Sequence, residues 1–88
     1  MVGQKISGDP PAYPKEARAK KIQGTVVLDA TIGKDGAVEA LHIVKSPDKR
    51  LSESALEGVR TWRYRPYLLN GDPIAVETTI HVIYNLAP

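Results

Sequence analysis

Apolar and polar residues alternate along three segments of the chain. Residues 25–32, TVVLDATI, place Val26 and Leu28 on one face. A second apolar run covers residues 38–44, and the longest alternation covers residues 74–86. A period of two residues is typical of a strand that is buried on one face only. The pattern therefore predicts three half-buried strands.

Two other segments have a helical pattern. Pro14 is suited to the first position of a short helix over residues 14–22, and Gly24 supplies a stop signal. A second apolar stripe with helical spacing comprises Leu51, Ala55, Leu56, Val59 and Trp62. Ser52 is the predicted N-cap of this second helix, and Pro66 prevents its continuation.

The connections indicate how the strands are joined. Residues 33–36, GKDG, form a short turn between the first two strands and predict a hairpin. In the second strand Val38 and Leu41 fall on opposite faces, and a bulge near Glu39 or Ala40 would bring them to the same side. Asn-Gly turn chemistry also appears in LLNGDP, just before the last strand.

The element order is α-β-β-α-β. We expect the third strand to lie beside the first and antiparallel to it, after a right-handed crossover through the second helix. The predicted fold class is α+β, with two layers: a three-stranded antiparallel-type sheet and two helices on one face. The third strand then lies at an edge of the sheet.

Composition limits the possible functions. The 88 residues suffice for one domain, with residues 11–88 as the domain and residues 1–10 as a flexible lead or linker remnant. The chain has no Cys, and its formal net charge of +2 is too small for a strong nucleic-acid footprint. No apolar run approaches the roughly 18 residues that span a bilayer. Residues 1–9 lack the apolar core of a signal peptide.

The stretch RTWRYRPY, residues 60–67, has two interpretations. Interleaved aromatic and guanidinium groups are typical of surfaces that bind single-stranded nucleic acid. Trp62, however, shares the helical stripe of Leu56 and Val59, which favours a place in the core. An RNA-binding sheet would also need aromatic residues on its exposed face, which the first strand does not offer. We therefore expect no nucleic-acid partner.

Catalytic and metal-binding patterns are sparse. His42 and His81 lie on different strands, and the predicted topology separates them by the first strand. The GKDG turn lacks the frame of a phosphate-binding loop, and no nucleophile lies in a recognisable pattern with a base. We expect no metal site, no cofactor and no enzymatic activity.

The predicted edge strand is the main candidate site. A long, fairly apolar edge is an aggregation hazard unless it is covered, paired with a second copy, or kept for an added strand. All three alternatives remain open here, including a self-associating, dimeric or strand-swapped structural domain. The candidate partner-binding residues are Ile74, Ala75, Val76, Glu77, Thr78, Thr79, Ile80, His81 and Val82.

Several motifs together resemble the TonB C-terminal domain family. They are the YP pair Tyr13-Pro14, GTV at 24–26, the Asp-Gly turn, Ser46, the segment ALEGVRTWRYRP at 55–66, and the Asn-Gly turn before the last strand. The helix followed by W-R-Y-x-P is the specific part. The resemblance runs from Tyr13 to about Leu86. Lys21 is a departure, since relatives often carry Gly at this position.

The resemblance implies a periplasmic domain of an energy transducer. Such a protein couples to the ExbB and ExbD motor through a membrane anchor that is absent from this chain, so we expect an excised domain. The domain binds the Ton box peptide of an outer-membrane TonB-dependent receptor, which adds as a strand to residues 74–82. The resemblance also places the YP turn, Tyr13 and Pro14, near the same end of the domain, and Trp62 in the core.

Overall fold

The computed structural model describes residues 5–86. Two helices and seven strands occur in this part of the chain. In chain order they are β1 (Lys5–Ser7), α1 (Lys15–Ala19), β2 (Gly24–Ile32), β3 (Val38–Lys45), α2 (Lys49–Arg60), β4 (Arg63–Tyr64), β5 (Tyr67–Leu69), β6 (Asp72–Ile74) and β7 (Val76–Tyr84). Neither helix in the described residues is long and apolar enough to cross a membrane.

The main sheet has the order β3-β2-β7, and both pairings are antiparallel. The pairing of β2 with β7 runs without interruption from Gly24 opposite Tyr84 to Ile32 opposite Val76. The helix α2 packs on β2 and β3, and α1 packs on α2. The predicted α+β architecture with two helices and an antiparallel sheet is thus confirmed.

The core lies between this sheet and α2. Its buried residues are Ala17, Val26, Leu28, Ala30, Ile32, Leu51, Ala55, Val59, Tyr64, Ile80, Val82 and Tyr84. Val26, Leu28 and Val59 are completely buried. Leu56 and Trp62, which the helical stripe assigns to the core, are only half-buried and pack against its margin. Trp62 lies beyond the last residue of α2, so it leaves the stripe that the preceding residues follow.

The start of α2 differs from the prediction. The N-cap is Asp48, whose Oδ1 accepts a hydrogen bond from the Arg50 backbone N–H at 2.8 Å. Ser52 is wrong as the N-cap because it lies inside the first turn, where its hydroxyl donates to the Lys49 carbonyl. Asp48 has the extended backbone that a cap requires, and its carboxylate satisfies an otherwise unpaired donor.

The end of α1 places Lys21 at a position where glycine is the usual residue. The helix stops at Ala19, and Lys21 adopts a left-handed conformation with φ of 57°. The Ile22 N–H donates to the Ala17 carbonyl at 2.8 Å, and the Lys21 N–H donates to the Arg18 carbonyl at 3.1 Å. These two bonds form a Schellman motif, in which glycine is the usual residue at the left-handed position.

The strand β3 contains two bulges. Thr31 pairs with Ala40 and Ile32 with Val38, so Glu39 is the extra residue. This bulge turns Val38 toward the helices, as the sequence suggested. A second bulge at Val44, between the pairs of Ile43 and Lys45 with β2, was not predicted.

The first residues of the described chain form an extended segment, the N-terminal strap (residues 5–12). Its strand β1 pairs with β4, and the Asp9 carbonyl accepts from the Trp62 indole N–H at 2.8 Å. The Ser54 hydroxyl donates to the Ala12 carbonyl. Lys5, Ser7 and Asp9, which fall in the expected flexible lead, thus contact β4 and Trp62, while the division of the chain at residue 10 stays a prediction. Residues 1–4 lie outside the described residues.

The residues before the last strand form a second hairpin, β5–β6. Its turn residues Asn70 and Gly71 have φ of 52° and 86°, as a type I′ turn requires. The Asn-Gly turn was predicted, but its two short strands were not. Ile74 belongs to β6, and Ala75 separates it from β7. The prediction of one continuous strand from Ile74 was wrong because the chain changes partner at Ala75.

Candidate partner-binding site

The strand β7 forms one edge of the main sheet. Its inner side pairs with β2, and no other strand of the described residues pairs with its outer side. Its side chains alternate regularly. Those of Thr78, Ile80 and Val82 are buried against the helical layer, whereas those of Glu77 and His81 are exposed. The buried side chains hold the strand in place, while its outer backbone groups have no strand partner in the described part of the chain.

The opposite edge, β3, is less suited to strand addition. Its two bulges interrupt the regular spacing of backbone donors and acceptors. At its start, Ala37 forms an isolated bridge with Arg63, and the Tyr64 N–H donates to the Gly36 carbonyl at 2.8 Å. The edge strand β3 is therefore irregular and partly paired, whereas β7 pairs with β2 without a bulge along all nine residues.

The YP turn packs at the C-terminal end of β7, against Tyr84. The Tyr13 ring meets the Tyr84 ring edge to face, with centroids 5.4 Å apart and planes at 88°. The Tyr13 hydroxyl donates to the Ile22 carbonyl, and the Arg18 guanidinium lies 5.1 Å from the Tyr13 ring centroid. Pro14 has extended backbone and precedes α1. The structure therefore brings the YP turn to the C-terminal end of β7.

Tyr84 is almost completely buried. Burial raises the pKa of its phenol, and the neighbouring Ser54 hydroxyl opposes part of this rise. Burial also raises the pKa of Tyr64, whose strand β4 pairs with β1 of the N-terminal strap. Both phenols are therefore neutral at physiological pH and act as packing groups.

The open face of the sheet carries polar side chains. Asp29 in the central strand accepts a hydrogen bond from the Thr79 hydroxyl at 3.1 Å and lies opposite His42 in β3. His42 and His81 occupy different edge strands, with β2 between them. Within residues 5–86 there is no group of three or more acidic or histidine side chains that could hold a metal ion.

The structure distributes the predicted edge residues over two elements. Those from Val76 to Val82 lie in β7, whereas Ile74 lies in β6 and Ala75 lies between the strands. The strand also extends two residues beyond the predicted end of the site, to Ile83 and Tyr84. The alternation in the sequence continues through Tyr84 and could have indicated this longer edge.

Comparisons with known proteins agree with this geometry. The family model for the Gram-negative bacterial TonB protein C-terminal region matches residues 9–86. Protein TonB of Vibrio cholerae serotype O1 is 31% identical over 77 residues, which are 86% of this chain and 32% of that protein. Protein TonB of Pseudomonas aeruginosa is 31% identical over 72 residues, 81% of this chain and 21% of that protein. The chain thus spans a third or less of the length of these relatives.

A solved structure has the same fold. The solution NMR structure of the Pseudomonas aeruginosa TonB C-terminal domain superposes with a TM-score of 0.82 at 26% identity, covering 97% of this chain and 87% of that one. Residues 9–86, which the family model matches, include both helices and all three strands of the main sheet. From the family match and the shared architecture, this chain belongs to the Gram-negative TonB C-terminal domain family.

Proposed function

We propose that this domain is the periplasmic receptor-binding domain of a TonB-type energy transducer. In this proposal the Ton box peptide of an outer-membrane TonB-dependent receptor adds as a strand to the outer side of β7. The observation that carries the proposal is the edge of β7, which pairs with β2 without a bulge and has no outer strand partner within residues 5–86, whereas the opposite edge, β3, is bulged and partly covered. Coupling to ExbB and ExbD, through parts of the protein outside this chain, belongs to the same proposal.

Strand addition suits a domain that transmits force. Each backbone hydrogen bond contributes only about 1 kcal/mol net at rest. Several such bonds that are loaded together in shear resist more force than bonds that break one at a time. The domain can therefore bind a peptide reversibly and still hold it under load.

The side chains of β7 set the preferences of the added strand. An added strand would alternate its own side chains between the helical side and the open face of the sheet. On the open face they would meet Glu77, Thr79 and His81, which are exposed. At the Tyr84 end they would approach the ring of Tyr13.

An NMR titration of the 15N-labelled domain tests the proposal. The probes are synthetic Ton box peptides from outer-membrane receptors encoded in the same genome. We expect shifts of amide signals concentrated on residues 76–84 and new slowly exchanging amides there. Shifts confined to another surface would contradict strand addition.

Backbone methylation of the peptide supplies a matched control. In an added strand, alternate peptide amides face β7 and the others point away. N-methyl groups on one alternate set should abolish binding, and N-methyl groups on the other set should leave it nearly unchanged. If both sets have the same effect, the peptide does not bind as a strand.

Self-association is the alternative use of the same edge. Ile83, which lies in β7, is 66% exposed and would be available to a second copy. Sedimentation velocity at two protein concentrations distinguishes the alternatives. A dimer that resists all Ton box peptides, with line broadening along β7, would favour a self-associating structural domain.

A further inference from the structure

The N-terminal strap is held on the domain by a small number of contacts. Its residues 6–12 are exposed, except Pro11, which is half-buried. Pro11 lies against Gly58, and the Asp9 carbonyl accepts from the Trp62 indole N–H. A segment that buries so little of itself opens at a low cost in free energy. The docking of the strap is therefore an equilibrium that a second binding event can shift.

The strap ends beside the last residue of β7. The carbonyl of Ala12, its final residue, accepts from the Ser54 hydroxyl, and the same hydroxyl neighbours the Tyr84 phenol. The next residue, Tyr13, packs its ring edge to face on Tyr84 with centroids 5.4 Å apart. Tyr84 is only 3% exposed. Two consecutive residues at the end of the strap thus reach Tyr84, one through Ser54 and one directly.

The C-terminal end of β7 depends on such contacts. Tyr84 pairs with Gly24, the first residue of β2, so the ladder between the two strands stops there. Beyond it, the Leu86 N–H donates to Gln23 Oε1 at 2.9 Å. The ends of strands fray more readily than their centres. The packing of Tyr84 therefore determines how far the regular edge of β7 extends.

We infer that docking of the N-terminal strap and addition of a peptide to β7 are positively coupled, through the contacts of Ser54 and Tyr13 with Tyr84. This inference rests on the proposed function and names a regulation of the same site. When the strap is undocked, the last residues of β7 fray and a peptide loses its backbone partners there, while the rest of the main sheet remains. Coupling is reciprocal, so a bound peptide also stabilises the docked strap.

A substitution at Gly8 tests the coupling without changing Ser54, Tyr13 or β7. Gly8 has φ of 129°, and a Cβ atom on it would overlap Trp62 Cδ1, so Gly8→Ala should undock the strap. We expect a synthetic Ton box peptide to bind this variant about fivefold more weakly, measured by isothermal titration calorimetry. Gly71→Ala is the matched control, because Gly71 also has a positive φ, 86°, but has no atom within 4 Å of an added Cβ. The control should bind the peptide with unchanged affinity.

Amide hydrogen exchange tests the same link in the absence of peptide. In Gly8→Ala, exchange followed by NMR should become faster for residues 5–12 and for residues 82–86. It should stay unchanged for residues 76–79, at the opposite end of β7. In the unmodified domain, saturation with the peptide should slow exchange of the Trp62 indole N–H, which donates to the strap.

A second substitution tests the route. Ser54→Ala removes the hydrogen bond to Ala12 and the hydroxyl beside Tyr84. If the strap acts through Ser54, the double variant Gly8→Ala, Ser54→Ala should bind the peptide about as weakly as Gly8→Ala does. Losses that multiply in the double variant would show independent effects and overturn the route through Ser54.

The outcomes separate this inference from the proposed function. If the strap undocks in Gly8→Ala and the peptide binds with unchanged affinity, the inference is overturned and strand addition stands. An equal loss of affinity in Gly71→Ala also overturns it, because the effect is then general. If no peptide binds the unmodified domain, the proposed function fails. Faster exchange of residues 82–86 in Gly8→Ala would still support the link between the strap and β7, and unchanged exchange there would overturn it.

Discussion

Lys21 occupies a backbone conformation that favours glycine, so replacing it should stabilise the domain. Its φ of 57° lies in the left-handed region, where a residue with a Cβ atom costs about 1–2 kcal/mol. Glycine avoids this cost but loses about 0.5–1 kcal/mol through the greater freedom of the unfolded chain. The difference predicts that Lys21→Gly raises the free energy of unfolding by about 0.5–1 kcal/mol.

Urea denaturation followed by Trp62 fluorescence measures this change. With an m value of about 1 kcal/mol per molar urea, the midpoint should rise by roughly 0.5–1 M without a change in m. Lys21→Ala is the first control and should give no gain, since alanine keeps the Cβ atom. Lys20→Gly is the second control and should destabilise, because Lys20 has φ of −90°. Equal stabilities for Lys21→Gly and Lys21→Ala would refute the argument from the left-handed conformation.

Three further predictions concern stability. Asp48→Ala should lower the free energy of unfolding by about 1 kcal/mol through loss of the N-cap, whereas Ser52→Ala should change it much less; urea denaturation measures both. Gly58→Ala should displace the N-terminal strap, because a Cβ atom at this position would lie 2.7 Å from Pro11 Cγ. Faster amide hydrogen exchange of residues 5–12 would show the displacement, and unchanged exchange would contradict it. Burial raises the pKa of Tyr64 and Tyr84 above the ordinary 10.0, so the unfolded state loses these protons at a lower pH than the folded state does. The free energy of unfolding should therefore fall as the pH rises through and above about 10. Tyr84→Phe should reduce this fall between about pH 9 and pH 11, as measured by urea denaturation.

Local patterns in the sequence were sufficient to predict the main sheet. The alternation around Val26 and Leu28 identified β2, and the broken parity between Val38 and Leu41 identified the bulge at Glu39. These features depend on neighbours along the chain, which a sequence displays directly. The order of the strands followed because few connections join a hairpin, a crossover helix and a third strand.

The N-terminal strap could not be predicted because its partners are distant in sequence. Pro11 lies against Gly58, and Asp9 binds Trp62 through a backbone carbonyl that any residue possesses. The half-buried position of Trp62 has the same origin, since the strap completes its surroundings. Gly58, a glycine inside an otherwise regular helix, was the one local sign that another segment approaches closely.

The edge position of β7 was predicted, but the bounds of this strand were not. The edge position of β7 followed from topology, and its regular alternation was visible in the sequence. The division at Ala75 was not visible, because Ile74 continues the same apolar parity as Val76. The two short strands of the β5–β6 hairpin were not predicted for a related reason, because three-residue strands are too short to display a period.

The N-terminal strap also has a mechanical consequence. The strap contacts Ser54 through Ala12, Gly58 through Pro11, Trp62 through Asp9, and β4 through β1, and these partners follow one another along the chain. Tension that pulls the strap away from the helix would break these contacts in succession, as in peeling, and would leave the main sheet in place. The eight released residues can span about 26 Å when extended. In the proposed strand addition, a peptide on β7 would load its hydrogen bonds together, so the domain would have one compliant end and one stiff edge.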